Sequence, residues 1–271
     1  MKVFMSVDIE GITTTTSWDE VIPVEQREPM RYNECARRMT KEAVAACNGA
    51  LAAGADEIFV RDAHCFAQNI DIEAFPKEVK FMRGWSGSPF MMVDGIDESF
   101  DAAVFVGYHS AASRCGNPLS HTETRKLLYV KINGQIASEF MLFSYAALLK
   151  KVPTVFLSGD KMLCDDYKDL HPGLVTVPVK EGKGAATICY NPAQTLIDIE
   201  NGVRKSLYCR NFKSLLRELP EHFVMEICYK DHALAEKYSY FPGVKKINDN
   251  TVVFETDDYY KLLQAFVFIS G

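Results

Sequence analysis

The chain has 271 residues, 48% hydrophobic and 24% charged, with a formal net charge of −6. This is the profile of a globular protein able to bury one large core or two smaller ones. It leaves no basic footprint for nucleic acid or an anionic membrane, and its most apolar helix-like stretch, at 43–55, is too short to span a bilayer.

One lysine followed by acids at residues 8 and 10 leaves no room for a signal-peptide core, so a cytoplasmic location is expected. KVFMSVD at 2–8 reads as a strand. The segment 31–54 reads as a long helix ending at Gly54. Within it Cys35, Met39, Ala43, Ala46, Ala50 and Ala53 recur every three or four residues, an apolar stripe for packing on a sheet. EIFVRD at 57–62 is a second strand, a helix is expected from Pro89, and DAAVFVGYH at 101–109 is a third strand. The alternation implies a parallel sheet with covered faces.

KLLYVKINGQIAS at 126–138 reads as a hairpin, since Asn133-Gly134 suits a type I′ turn. A helix over 139–151 follows, with Ser138 as its N-cap, and then a strand over 152–160. Asp160 is read as the cap of the segment after it. EGKGAAT at 181–187 has too few glycines for a phosphate loop and reads as a turn. From about 192 the pattern mixes a helix over 192–208, strands FVMEICYK and TVVFETD, and a helix from Asp258. The expected fold is α/β: a mainly parallel sheet covered by helices over 1–190, then a smaller C-terminal α+β portion over 191–271. The eight cysteines, Cys35, Cys47, Cys65, Cys115, Cys164, Cys189, Cys209 and Cys228, show no CxxC spacing and are expected to be buried thiols.

Three expected strands end in metal-ligating side chains: Asp8 and Glu10, then Asp62 and His64, then His109. In open parallel sheets, ligands bind beyond the carboxyl ends of the strands, so these groups should converge. His121 in PLSHT and Glu139 at a helix start follow closely. Carboxylates gathered this tightly need positive charge between them. Imidazole and carboxylate without thiolate suit Zn²⁺, Mn²⁺ or Co²⁺ better than Ca²⁺, and there are ligands enough for two ions with Asp8 able to bridge. Asp62 alone reads more simply as a cap or loop charge. His171, His222 and His232 follow no strand of this sheet and are set aside.

SVDIEG resembles the SxDxEG signature of the DppA-type zinc D-aminopeptidase family, and RDAH, VGYH, LSHT and ASEF resemble its later motifs in the same order. The resemblance places the zinc ligands on Asp8, Glu10, His64, His109 and Glu139 and the catalytic histidine on His121. It leaves Asp62 as a support to His64. It implies two Zn²⁺ per subunit, short peptide substrates cleaved from a free amino end carrying a D-residue, and a homo-oligomer, a ring-stacked decamer. The stretches TTTTSWDEV and SAASRCGNPLS depart from the family pattern and fall in loops. On the residues alone, another two-metal hydrolase (an amidase or phosphoesterase) and a metal-binding scaffold without turnover are the competing readings.

Overall fold

The structure is a computed structural model that describes residues 1–23, 29–169, 173–208 and 211–271; His171 and Cys209 lie outside the described residues. In chain order it runs β1 (Lys2–Val7), α1 (Pro29–Ala52), β2 (Glu57–Asp62), β3 (Val79–Met82), β4 (Ala102–Tyr108), β5 (Leu127–Ile132), β6 (Gln135–Ile136) and α2 (Glu139–Leu149). It continues with β7 (Thr154–Asp160), α3 (Lys161–Tyr167), β8 (Val175–Lys183), β9 (Ala186–Cys189), α4 (Pro192–Tyr208), β10 (Phe223–Tyr229), α5 (His232–Ser239), β11 (Val244–Lys246), β12 (Thr251–Thr256) and α6 (Tyr259–Ile269).

Two sheets form, in the orders β3-β2-β1-β4-β7-β8-β9 and β11-β12-β10-β5-β6. The first is parallel except for the β8–β9 pair, and the second is antiparallel. This is the expected α/β class. Residue alternation along the strands splits the core in two. Val3, Met5 and Val7 face α1 and α4, where Met39, Ala43, Ala46, Ile199 and Val203 are buried. Phe4 and Phe105 face the other way, into a second cluster shared by α2, α6 and the inner face of the antiparallel sheet through Val130, Met225 and Ile227.

The Asn133-Gly134 turn has φ of +50° and +80°, as a type I′ turn requires. That hairpin, drawn from the middle of the chain, pairs with β10 through β5 and so belongs to the second sheet. The helix α4, from the later part of the chain, packs on α1. The segment EGKGAAT forms the end of β8, a turn at Gly184 and the start of β9. The helix expected from Pro89 is only a 3₁₀ turn over Met91–Val93, because Met91 takes a left-handed φ of +44° that an α-helix cannot continue. The cysteine expectation also needs correction: Cys35, Cys47, Cys164 and Cys228 are buried, whereas Cys65, Cys115 and Cys189 are exposed on loops or an edge strand.

Candidate active site

β1 is the strand where the sheet changes direction, with β2 on one side and β4 on the other. Its carboxyl end is therefore a topological switch point, the place where open α/β sheets bind ligands. The end of β1 is pinned to β4 by Asp8 N–H donating to the Val106 carbonyl (2.9 Å) and Gly11 N–H to the Gly107 carbonyl (2.8 Å). A Cβ on Gly11 would lie 1.7 Å from the Tyr108 carbonyl oxygen, so only glycine allows the chain to cross there. This crossing brings Asp8 and Glu10 against His109. Glu139 arrives from the opposite side on the first turn of α2, whose N-cap Ser138 accepts from the Met141 N–H at 3.1 Å.

The six singled-out side chains converge. His64 Nδ1 lies 2.9 Å from Glu10 Oε2 and 3.5 Å from Asp8 Oδ1. His109 Nε2 lies 3.6 Å from Asp8 Oδ2 and 3.2 Å from Glu139 Oε2. His121 stacks flat on His109, ring centres 4.4 Å apart, with Nε2 3.7 Å from Glu139 Oε1. Each histidine has its other ring nitrogen tied to a backbone carbonyl: His64 Nε2 to Val21 (2.5 Å), His109 Nδ1 to Ser110 (2.9 Å) and His121 Nδ1 to Leu119 (2.9 Å). A carbonyl only accepts, so that nitrogen carries the hydrogen and the one facing the carboxylates can be free. This is the outer support that metal-ligating histidines use.

Three buried carboxylates gathered round the same histidines cannot share a dry site cheaply. Burial, with Glu10 adding to it, pushes Asp8 up to about 8. Burial also opposes ionisation of Glu10 and Glu139, but the histidine beside each, His64 and His109 respectively, outweighs it and holds both below their ordinary values. Burial works against a charged His109, yet Glu139 and Asp8 raise it to about 10, and Glu10 likewise raises His64 despite its burial. His121 is lowered by burial and by His109. Without another cation, the cluster draws its positive charge from its own histidines.

Asp8 Oδ2 and His109 Nε2 are buried without a hydrogen-bond partner. Ligand atoms of Asp8, Glu10 and His109 lie within 4.8 Å of one another, as do those of His109, His121 and Glu139. Orphaned donor atoms, oxygen and imidazole chemistry and enforced tautomers all suit a zinc-type ion. His121 differs in exposure: its side chain keeps 13%, against 7% or less for the other five, and all but His109 border one cavity. That cavity, about 620 Å³, is also lined by Trp18, Trp85, Glu123 and Arg125.

Asp62 does not touch the His64 ring. It accepts from the Asn69 and Ile70 N–H groups and from Asn69 Nδ2 (2.7 Å), and Asn69 Nδ2 also donates to the His64 carbonyl at 2.7 Å. Its support for His64 therefore passes through Asn69. Asp160 caps α3 at Leu163 N–H (2.9 Å) and also takes the Ser110 N–H and hydroxyl, steadying the residue next to His109.

Sequence reasoning missed the groups that hold the Glu10 backbone. Buried Lys180, on β8, donates to the Glu10 carbonyl, to the Thr15 carbonyl (2.8 Å) and to Thr15 Oγ1 (2.7 Å). Asn117 Nδ2 donates to the same Glu10 carbonyl at 2.9 Å, and buried Glu42 accepts from Thr13 N–H at 2.8 Å. Nothing in VPVKEGK marks its first lysine as buried rather than solvated. The one signal is that β8 continues a sheet whose neighbours are covered.

The profile of the D-aminopeptidase family, Peptidase M55, matches residues 1–268. The chain belongs to that family. It is 29% identical over 271 residues to a D-aminopeptidase of Bacillus subtilis (strain 168), covering 98% of this chain and 96% of the relative. Its structure is similar to one described as the Zn-dependent D-aminopeptidase DppA from Bacillus subtilis, a self-compartmentalizing protease. The TM-score is 0.89 at 27% identity, with 100% of this chain and 97% of the other covered. The chain is an enzyme of the metallopeptidase class, and none of its described helices is long and apolar enough to cross a membrane.

Proposed function

We propose that this enzyme is a dinuclear zinc aminopeptidase that cleaves short peptides from a free amino end, with preference for a D-residue there. The observation that carries the dinuclear reading is the posture of Asp8, which turns one carboxylate oxygen toward His64 and the other toward His109. Asp8, Glu10 and His64 would hold one ion, and Asp8, His109 and Glu139 the other. Bound zinc would supply the charge that polarises a peptide carbonyl and acidifies water near neutral pH.

The protein's own part is positioning and proton transfer. The Leu119 carbonyl fixes the His121 tautomer, which leaves Nε2 as the atom that takes a proton and returns it to the leaving amine. Burial holds the ring below the ordinary imidazole value, which favours the neutral form that accepts a proton. Trp18 meets the His121 ring edge-on at 5.2 Å and limits its rotation. The DppA relative is described as self-compartmentalizing. On that likeness and the sequence resemblance, we propose a homo-oligomer, a decamer.

The test is a panel of D- and L-aminoacyl amides and dipeptides with zinc-loaded protein, alongside metal analysis. Cleavage favouring D-residues and close to two zinc per chain are expected. Equal cleavage of the L-series rejects the stereochemical preference, and zinc content near zero with activity intact rejects the metal mechanism.

A further inference from the structure

Glu123 and Arg125 border the same cavity as His121 and Glu139, and neither is used by the metal cluster. The Glu123 backbone is fixed: its N–H donates to Glu139 Oε1 at 2.7 Å, its φ is +61°, and Thr122 and Thr124 bridge across it. A glutamate in the left-handed region is costly, so surrounding contacts must hold it there. Its carboxylate has no hydrogen bond or ion pair among the described residues, whereas the carboxylates of Asp8, Glu10 and Glu139 all face histidines. Arg125 sits over Trp18 with its guanidinium carbon 4.3 Å from the ring centre, and it too has no acidic partner among the described residues. The cavity thus carries a carboxyl, pushed up to about 8 by burial and by Glu139, and a guanidinium, both on the loop that follows His121 and neither with an ion-pair partner among the described residues.

We propose that Glu123 receives the free ammonium, and Arg125 the terminal carboxylate, of a zwitterionic dipeptide-sized substrate. This rests on the peptidase reading above and deepens it. The cavity volume of about 620 Å³ suits a small ligand. The guanidinium, braced by the indole, is preorganised for a planar carboxylate.

Trp18 and Trp85 are the only two tryptophans, and both line the cavity, so intrinsic fluorescence reads ligand binding there directly. The probes are the reduced-amide form of D-alanyl-D-alanine, which cannot be hydrolysed, and its N-acetyl and C-terminal amide derivatives. All three share the same backbone amine, which cancels in ratios of dissociation constants. In zinc-loaded protein, both acetylation and amidation should weaken binding. Glu123→Gln should shrink the acetylation penalty about 10-fold and leave the amidation penalty alone; Arg125→Gln should do the reverse. Unchanged penalties in both variants overturn the proposal, as does loss of zinc from Glu123→Gln, which would make Glu123 a ligand. Failure of the wild-type protein to cleave any dipeptide rejects the peptidase reading, while the binding ratios still decide the roles of Glu123 and Arg125.

Discussion

Asp8 presents its two oxygens to different histidines, so removing its charge exposes both halves of the cluster at once. Asp8→Asn keeps the shape and should release at least one zinc with nearly all activity. Asp62→Asn reaches His64 through Asn69 and should cost about 10–100-fold in affinity or activity. Metal content and turnover on both variants check this, and equal, mild effects would reject a bridging Asp8. His121→Ala should keep its zinc while kcat falls roughly 10²-fold or more; zinc lost with activity would instead make His121 a ligand. The convergence of these residues was legible because strand ends can be read from apolar runs, and a parallel sheet gathers its strand ends. Glu123, Lys180 and Asn117 were not legible, because their roles depend on where loops return in space and no local pattern encodes that.

At the scale of elements, the loop after β1 is tied down by side chains from three distant segments: Glu42 on α1, Asn117 in the loop after β4, and Lys180 on β8. The buried stripe of α1, Cys35 to Ala53, was readable from its spacing. Glu42 interrupts that helix's apolar face, and sequence alone offered no partner for it. Burial pushes the Glu42 carboxyl from 4.5 up to about 7, with Thr13 and Lys180 only partly offsetting it. Below the unfolded value both states are protonated and the group is neutral for stability. Above the folded value both are ionised, and the fold carries the full burial cost, so this contribution to stability is lost as pH rises through that window. Glu42→Gln should match wild type near pH 4.5 and exceed it by on the order of 2–3 kcal/mol at pH 7.5. Denaturant melts at the two pH values test this, and an advantage that shrinks with pH would contradict it.

For the molecule as a whole, the parallel sheet and most C-terminal strands were legible, but their assembly was not. The Asn133-Gly134 turn announces the β5–β6 hairpin, yet its partner β10 lies about 90 residues later, and antiparallel pairing at that distance leaves no periodic trace. The consequence is a core stitched across both sheets: Phe4 and Phe105 share one cluster with Met225 and Ile227, and Tyr259 on α6 donates to the Leu142 carbonyl of α2 at 2.7 Å. Two lobes that share apolar surface in this way should not unfold separately. Ile227 is fully buried on the second sheet, whereas both tryptophans line the cavity at the carboxyl edge of the first sheet. Ile227→Ala should cost about 2–5 kcal/mol, the usual range for such a cavity. Because unfolding is shared, tryptophan fluorescence and far-ultraviolet circular dichroism should shift together to a lower midpoint. If the tryptophan transition stays in place while circular dichroism splits into two steps, the antiparallel lobe is an independent unit and the stitched core contributes little to cooperativity.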